Sequence, residues 1–148
     1  MIYVGIDPGK DGALAWIDDA GAVSILPYEK RAYQSALEAC APHAVVCLEH
    51  VGAMPGQGVT SMFHFGESYG WLQGVLDTLE LPYQLVRPQT WKREFGCSNK
   101  NESVAVCRRL FPAVSLRRTP QCRKDHDGMA EALLMAEYAR RRLGGAGK

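Results

Sequence analysis

Ile2-Tyr3-Val4-Gly5-Ile6-Asp7-Pro8-Gly9-Lys10-Asp11-Gly12 is the stretch that decides how the chain folds. Residues 2–6 are an apolar run that reads as a buried strand, and Asp7 closes it. The Pro and Gly residues that follow punctuate a turn. Outward from there, residues 13–18 and 22–26 read as two further strands joined at Asp18-Asp19-Ala20-Gly21, so the first three strands form an antiparallel meander. The pattern of a run closed by an acid recurs at Ala44-Val45-Val46-Cys47-Leu48, a continuous apolar strand of central type that ends on Glu49.

The rest of the chain alternates helix and strand. Residues 30–41 read as a short helix stopped by Pro42, and a Gly-rich loop runs from Gly52 to Gly58. A helix is predicted over 61–79, where Phe65, Tyr69, Leu72, Leu76 and Leu79 make one apolar stripe. Pro82 starts a fifth strand at 83–86. Two shorter helices follow near 88–95 and 101–110, the second opened by the capping chemistry of Asn99 to Glu102. Residues 112–124 read as an irregular basic loop, 125–142 as a final helix and 144–148 as a frayed tail. The length fits one domain over 1–148. The order is that of a ribonuclease H-like α/β fold: a mixed five-stranded sheet, antiparallel over its first three strands and parallel beyond, flanked by helices.

An acid at the end of a buried strand gives up solvation, so it needs a reason to be there. Asp7 and Glu49 end strands, and Asp127 and Glu131 open the final helix. Acids converging in this way make a site for hard divalent cations, the hardware of metal-dependent phosphodiester hydrolysis. At 3.6 residues per turn, Asp127, Glu131, Leu134 and Tyr138 lie within roughly 60° around the helix axis. The two acids therefore share the face that Leu134 and Tyr138 turn towards the sheet. Each position has a plainer reading. Acids at a helix N-terminus are favoured by its dipole, Asp-Pro-Gly can be a simple turn, and Glu49 can be a surface acid. Gly5-Ile6-Asp7-Pro8-Gly9 also matches the phosphate loop that opens actin-like ATPases, whose nucleotide-binding module needs a second such loop and more length.

The composition, 47% hydrophobic and 22% charged, is that of a soluble globular protein. No apolar run approaches the ~20 residues that span a bilayer, and the N-terminus lacks the pattern of a secretory signal. Five cysteines without a CxxC pair argue against a zinc or disulfide framework and for reduced thiols. The expected location is the cytoplasm of a bacterial cell or a phage-infected host. A net charge of +1 hides an asymmetry. Residues 1–86 hold three Lys/Arg against ten Asp/Glu, and residues 87–148 hold fourteen against six. Between Lys92 and Lys124, nine basic residues meet only Glu94 and Glu102. A basic surface beside an acidic cation site suits a polyanion that is held and then cut, although charge runs are commonly just solvated faces.

Gly5-Ile6-Asp7-Pro8-Gly9, the strand end Leu48-Glu49-His50-Val51 and the helix from Asp127 to Ala136 resemble the RuvC-type Holliday junction resolvases. The stretch Gly56 to Leu76 and Val86-Arg87-Pro88-Gln89-Thr90-Trp91-Lys92 resemble the phage and organellar branch of that family. The resemblance covers nearly the whole chain in the right order. It implies a homodimer that makes paired symmetric nicks in a four-way DNA junction. It also implies that Asp7, Glu49, Asp127 and Glu131 hold two Mg²⁺ ions, roughly 3.5–4 Å apart, with Mn²⁺ as a substitute and Asp7 bridging both. The bacterial form of the family usually carries two aspartates three residues apart before Ala-Leu. Aligned with Glu131-Ala132-Leu133, the first of these falls on Gly128. Asp127 then supplies the acid from four residues back, still on one helix face, with Asp125 as the other candidate and His126 as a group that could orient water. The intact tetrad argues against a non-catalytic branched-DNA-binding protein.

Lys92, Arg93, Lys100, Arg108, Arg109, Arg117, Arg118, Arg123 and Lys124 are candidate phosphate contacts, and Lys124 is a candidate to stabilise charge at the scissile phosphate. Phe63 is a candidate wedge for unpaired bases, and Phe65 goes to the core with its stripe. Gly66, Gly70 and Gly74 lie four apart on one helix face, which points to close approach by the chain's own sheet, a dimer mate or DNA.

Overall fold

A computed structural model describes residues 1–144. Its elements run β1 (Ile2–Asp7), β2 (Ala13–Ile17), β3 (Val23–Pro27), α1 (Lys30–Cys40), β4 (Ala44–Glu49), α2 (Val59–Thr78), β5 (Tyr83–Val86), α3 (Pro88–Phe95), α4 (Lys100–Leu110) and α5 (Asp127–Tyr138), with a π-helical turn over Ala139–Leu143. The five strands form one sheet in the order β3-β2-β1-β4-β5. β1 pairs antiparallel with β2, and β2 with β3; β1 pairs parallel with β4, and β4 with β5. This is the expected mixed sheet, with β1 at its centre and β4 beside it. Gly144 closes the last turn by donating its N–H to the Ala139 carbonyl at 2.8 Å; the rest of the expected tail, residues 145–148, lies outside the described residues.

The alternation along the strands sorts two apolar layers. Val4 and Ile6 of β1, Leu14 of β2 and Val46 and Leu48 of β4 pack with Tyr33 and Leu37 of α1 and Leu72 and Leu76 of α2. The opposite face carries small residues, Ala13, Ala15 and Cys47, and α5 lies against them with Trp91 and Phe95 of α3. Gly5 belongs to this second face. A Cβ at that position would collide with the Ala132 carbonyl oxygen and the Ala136 nitrogen, so glycine lets α5 lie directly on the central strand.

The final helix differs from expectation in extent and in surroundings. It starts at Asp127 and passes into the π turn after Tyr138, instead of running over 125–142. Every residue from Gly128 to Glu137 is buried, so the helix does not have one core-facing stripe and an opposite wet face. It is enclosed because β1 and β2 cover one side and α4 another. Glu137, 5% exposed, is held by Arg140 at 2.7 Å and Arg141 at 2.8 Å, and Glu94 meets Arg141 and Arg142, which fixes the end of the helix far from its acids.

α2 begins at Val59, two residues earlier than expected. Gly66, Gly70 and Gly74 are exposed, and a Cβ on any of them would touch nothing, so these glycines do not pack on the chain's own sheet. The Asn99 cap of α4 is as expected: its side chain accepts from the Glu102 N–H at 2.9 Å, while Glu102 accepts from the Ser98 N–H at 2.8 Å. All five cysteines are free thiols. Among the described residues, no helix is long and apolar enough to cross a membrane.

Candidate active site

Register brings the first two acids together. Ile6 pairs with Leu48 in the parallel ladder, so Asp7 and Glu49 are the next residues of neighbouring strands, at the same carboxyl edge of the sheet. Ligand sites of open α/β sheets lie at that edge. By the two-residue period, Asp7 follows Gly5 and Glu49 follows Cys47, which points both carboxylates to the α5 side. α5 brings Asp127 and Glu131 to the same place. All four acids line one open cleft of about 1180 Å³, walled also by the turn after β1, the start of α2, Lys92, Lys100, Arg118 and His126.

The electrostatics are those of acids crowded together. Burial first, then the charges of Glu49, Glu131 and Asp127, hold the Asp7 carboxyl well above the usual carboxylate range, against the opposing pull of Lys100. Burial pushes Glu131 up to about 6; Lys92 opposes this, and Glu49 and Asp127 add to it. Burial also raises Glu49, opposed by a hydrogen bond from Trp91 and by the charge of Lys92. Lys100 is raised in turn, chiefly by its hydrogen bond to Asp127. Three of the acids rest on donors. The Trp91 indole N–H donates to Glu49 Oε2 at 2.8 Å, Lys100 Nζ lies 3.2 Å from Asp127 Oδ2, and Lys92 Nζ lies 3.9 Å from Glu131 Oε2.

Among the described residues, no three His, Cys, Asp or Glu side chains are drawn together as a ready-made metal cage. The donor chemistry nonetheless fits hard divalent cations: four carboxylates and no soft ligand, two of them on rigid strand ends. A cation there would offset the burial and the mutual repulsion that raise Asp7 and Glu131, and would replace the lysine ammonium groups now facing Asp127 and Glu131.

The helix start explains why an acid is displaced by one position. A Cβ on Gly128 would collide with the Asp11 carbonyl oxygen of the β1–β2 turn, and would come 2.8 Å from His126 Cε1. Only glycine fits there, and Asp127 is the acid that lines the cleft. Asp125 instead pairs with Arg108 and borders a separate pocket of about 390 Å³. His126 caps α5, its Nδ1 accepting from the Met129 N–H at 3.1 Å, and lines the cleft.

Of the candidate phosphate contacts, Lys92, Lys100 and Arg118 line the cleft. Arg93, Arg108, Arg109, Arg117, Arg123 and Lys124 are exposed but lie outside its lining. Lys92 and Lys100, rather than Lys124, thus face the acids, and Lys10 and Lys30 also line the cleft. Phe63 is 67% exposed and meets the ring of His64, a cleft residue, edge-on at 6.1 Å. Phe65 is not core. It is half-buried and lines the cleft, stacked on Tyr69 at 6.0 Å and packed against Gly9.

Two contributors went unrecognised in the sequence. Trp91 and Tyr69 hold Glu49 from both ends, the indole on the carboxylate and the Tyr69 hydroxyl donating to the Glu49 carbonyl at 2.9 Å. The only sequence signal was chemical: a buried tryptophan needs an acceptor for its N–H.

No protein-family model matches the chain, and no curated protein matches its sequence. Solved structures do match. RuvC of Thermus thermophilus in complex with Holliday junction substrate aligns with a TM-score of 0.62 at 15% identity, over 95% of this chain and 96% of that one. A second Thermus thermophilus RuvC structure aligns with a TM-score of 0.52 at 19% identity over the same shares. The chain therefore resembles the RuvC-type Holliday junction resolvases in structure along nearly its whole length, and has their ribonuclease H-like fold.

Proposed function

We propose that this chain is a Holliday junction resolvase, a divalent-metal-dependent endonuclease that acts as a homodimer and makes paired symmetric nicks in four-way DNA junctions. The observation that carries the reading is one cleft lined by four carboxylates, from two adjacent strand ends and one helix, with Lys92, Lys100 and Arg118 on its walls. The likeness to a RuvC solved with junction DNA supports the choice of substrate.

Asp7, Glu49, Asp127 and Glu131 would hold two Mg²⁺ ions, and Mn²⁺ suits the same oxygen donors. Bound there, such ions supply charge stabilisation on the phosphoryl oxygens and a nucleophile at neutral pH. The chain's own residues do the rest. Burial and crowding disfavour the charged forms of Asp7 and Glu131, so these are the acids whose ionisation a bound cation would favour most, and metal uptake would weaken as pH falls. Lys92 and Lys100, once displaced from Glu131 and Asp127, are free to meet the negative charge that develops on the scissile phosphate. The exposed arginines of α4 and the 112–124 loop meet backbone phosphates, which sets position and affinity but not sequence.

A nicking assay on a synthetic four-way junction against linear duplex, with and without Mg²⁺, tests this. Cleavage of the junction alone, and only with the metal, is the expected result. Equal cutting of both DNAs, or cutting in chelator, would remove the reading.

A further inference from the structure

We propose that Trp91 is a positioning residue for Glu49: its buried indole N–H fixes one carboxylate oxygen and thereby the direction in which Glu49 presents the other to the cleft. This deepens the reading of Glu49 as a cation ligand and rests on it.

Trp91 is fully buried, in the layer that also holds Val86 and Phe95. An indole nitrogen is a donor only, and here it donates to Glu49 Oε2 at 2.8 Å, across 42 residues of sequence. A hydrogen bond to an ionised carboxylate is shorter and stronger than one between neutral groups. The Glu49 backbone is already fixed, by pairing with Val86 of β5 and by the Tyr69 hydroxyl on its carbonyl. What remains free is the side chain beyond Cα, with three torsions, and Trp91 anchors its far end. The anchor is itself rigid. α3 is a single short helix that starts on Pro88 directly after β5, so the ring that holds Glu49 is carried by the element next to the strand that pairs with it. The next residue, Lys92, faces Glu131, so two consecutive residues of α3 reach two of the four acids. A bond that merely satisfies a buried N–H would hold Glu49 without mattering to the cation; the two roles separate by measurement.

Trp91→Phe keeps an aromatic ring in the core but removes the donor, together with the pyrrole half of the indole. In the full chain, Mn²⁺ affinity by calorimetry and kcat on a four-way junction should each fall roughly 10–100-fold, the loss usual for partners that orient metal ligands. KM for the junction should stay near the parent value, while the metal-free Tm falls by the cost of a smaller core ring and one lost hydrogen bond. Trp16→Phe, a ring on the other face of the sheet, should change neither Mn²⁺ affinity nor kcat. In a Glu49→Gln background, Trp91→Phe should cause no further loss of Mn²⁺ affinity. A measurement on the unsubstituted ring guards against a variant that folds poorly. The Trp91 indole ¹H–¹⁵N resonance should move on Mg²⁺ titration, and should move in Glu49→Gln without metal. Parent-like Mn²⁺ affinity and kcat in Trp91→Phe, losses that multiply with those of Glu49→Gln, or an indole resonance unmoved by both treatments would each overturn the inference. A parent chain that binds Mn²⁺ but cuts no junction contradicts the nuclease reading alone and leaves Trp91 to be decided by calorimetry and the resonance. A parent chain that binds no Mn²⁺ overturns both.

Discussion

Glu131 is 6% exposed, and its carboxyl is pushed up to about 6 from an ordinary 4.5. Without divalent cation, the folded chain keeps a proton on Glu131 that the unfolded chain has already lost between those two values. Stability therefore falls as pH rises through that window, and the deficit, about 2 kcal/mol, is fully present near neutral pH. Asp7 adds to it with the same sign. Glu131→Gln should accordingly make the metal-free chain more stable near neutral pH by about 2 kcal/mol, with no difference below pH 4.5. Urea unfolding at the two pH values checks this; equal stabilities near neutral pH would show that burial does not disfavour the charged form of Glu131. Single positions were unequally legible in the sequence. Asp7 and Glu49 stood out because a charge at the end of an apolar run is conspicuous. The place of Asp127, one residue short of the commoner pattern, became intelligible only when the Asp11 carbonyl was seen to exclude a side chain at Gly128. Trp91 gave no sign of its partner, since nothing local in sequence links it to a residue 42 positions away.

Strands and helices fell close to their expected ranges because each is bounded by strong punctuation: Asp7-Pro8-Gly9, Pro42, the Gly52–Gly58 loop, Pro82, and the Asn99 cap. Two features escaped a reading based on periodicity. α5 is buried all round, so the stripe of Leu134 and Tyr138 was only part of its buried surface. Its intimacy with the sheet depends on small residues, which carry no hydropathy signal. Gly5 is the extreme case. Gly5→Ala would drive a methyl group into the α5 backbone at Ala132 and Ala136, and should cost at least the 1–3 kcal/mol typical of overpacking (about 3 or more here, since backbone cannot rotate away). Thermal unfolding reads this directly; a parent-like Tm would mean that β1 and α5 are further apart than described. At the other end of the scale, Asn99→Ala removes one cap bond from α4 and should cost about 1 kcal/mol, measured in the same way.

Over the whole molecule, the split between an acidic first part and a basic second part becomes a geometry. Acids of both parts meet in the cleft, and Lys92 of α3, Lys100 of α4 and Arg118 of the 112–124 loop supply part of its wall. Junction affinity should fall linearly in log–log form with added salt, and Arg118→Ala should reduce that slope by about 1; filter binding over a salt series reads both, and a flat response would detach the basic surface from DNA. Of the three neighbours that the spacing of Gly66, Gly70 and Gly74 offered, the chain's own sheet drops out, and the outward glycine face of α2 is consistent with the proposed dimer or with DNA. In the proposed function, the four carboxylates cut the DNA that the basic surface holds. The most direct measurement is nicking of a four-way junction by Asp7→Asn in Mg²⁺, with junction binding followed on the same protein. Cleavage should be abolished while binding persists; cleavage at the parent rate would rule out Asp7 and its neighbours as the cutting site.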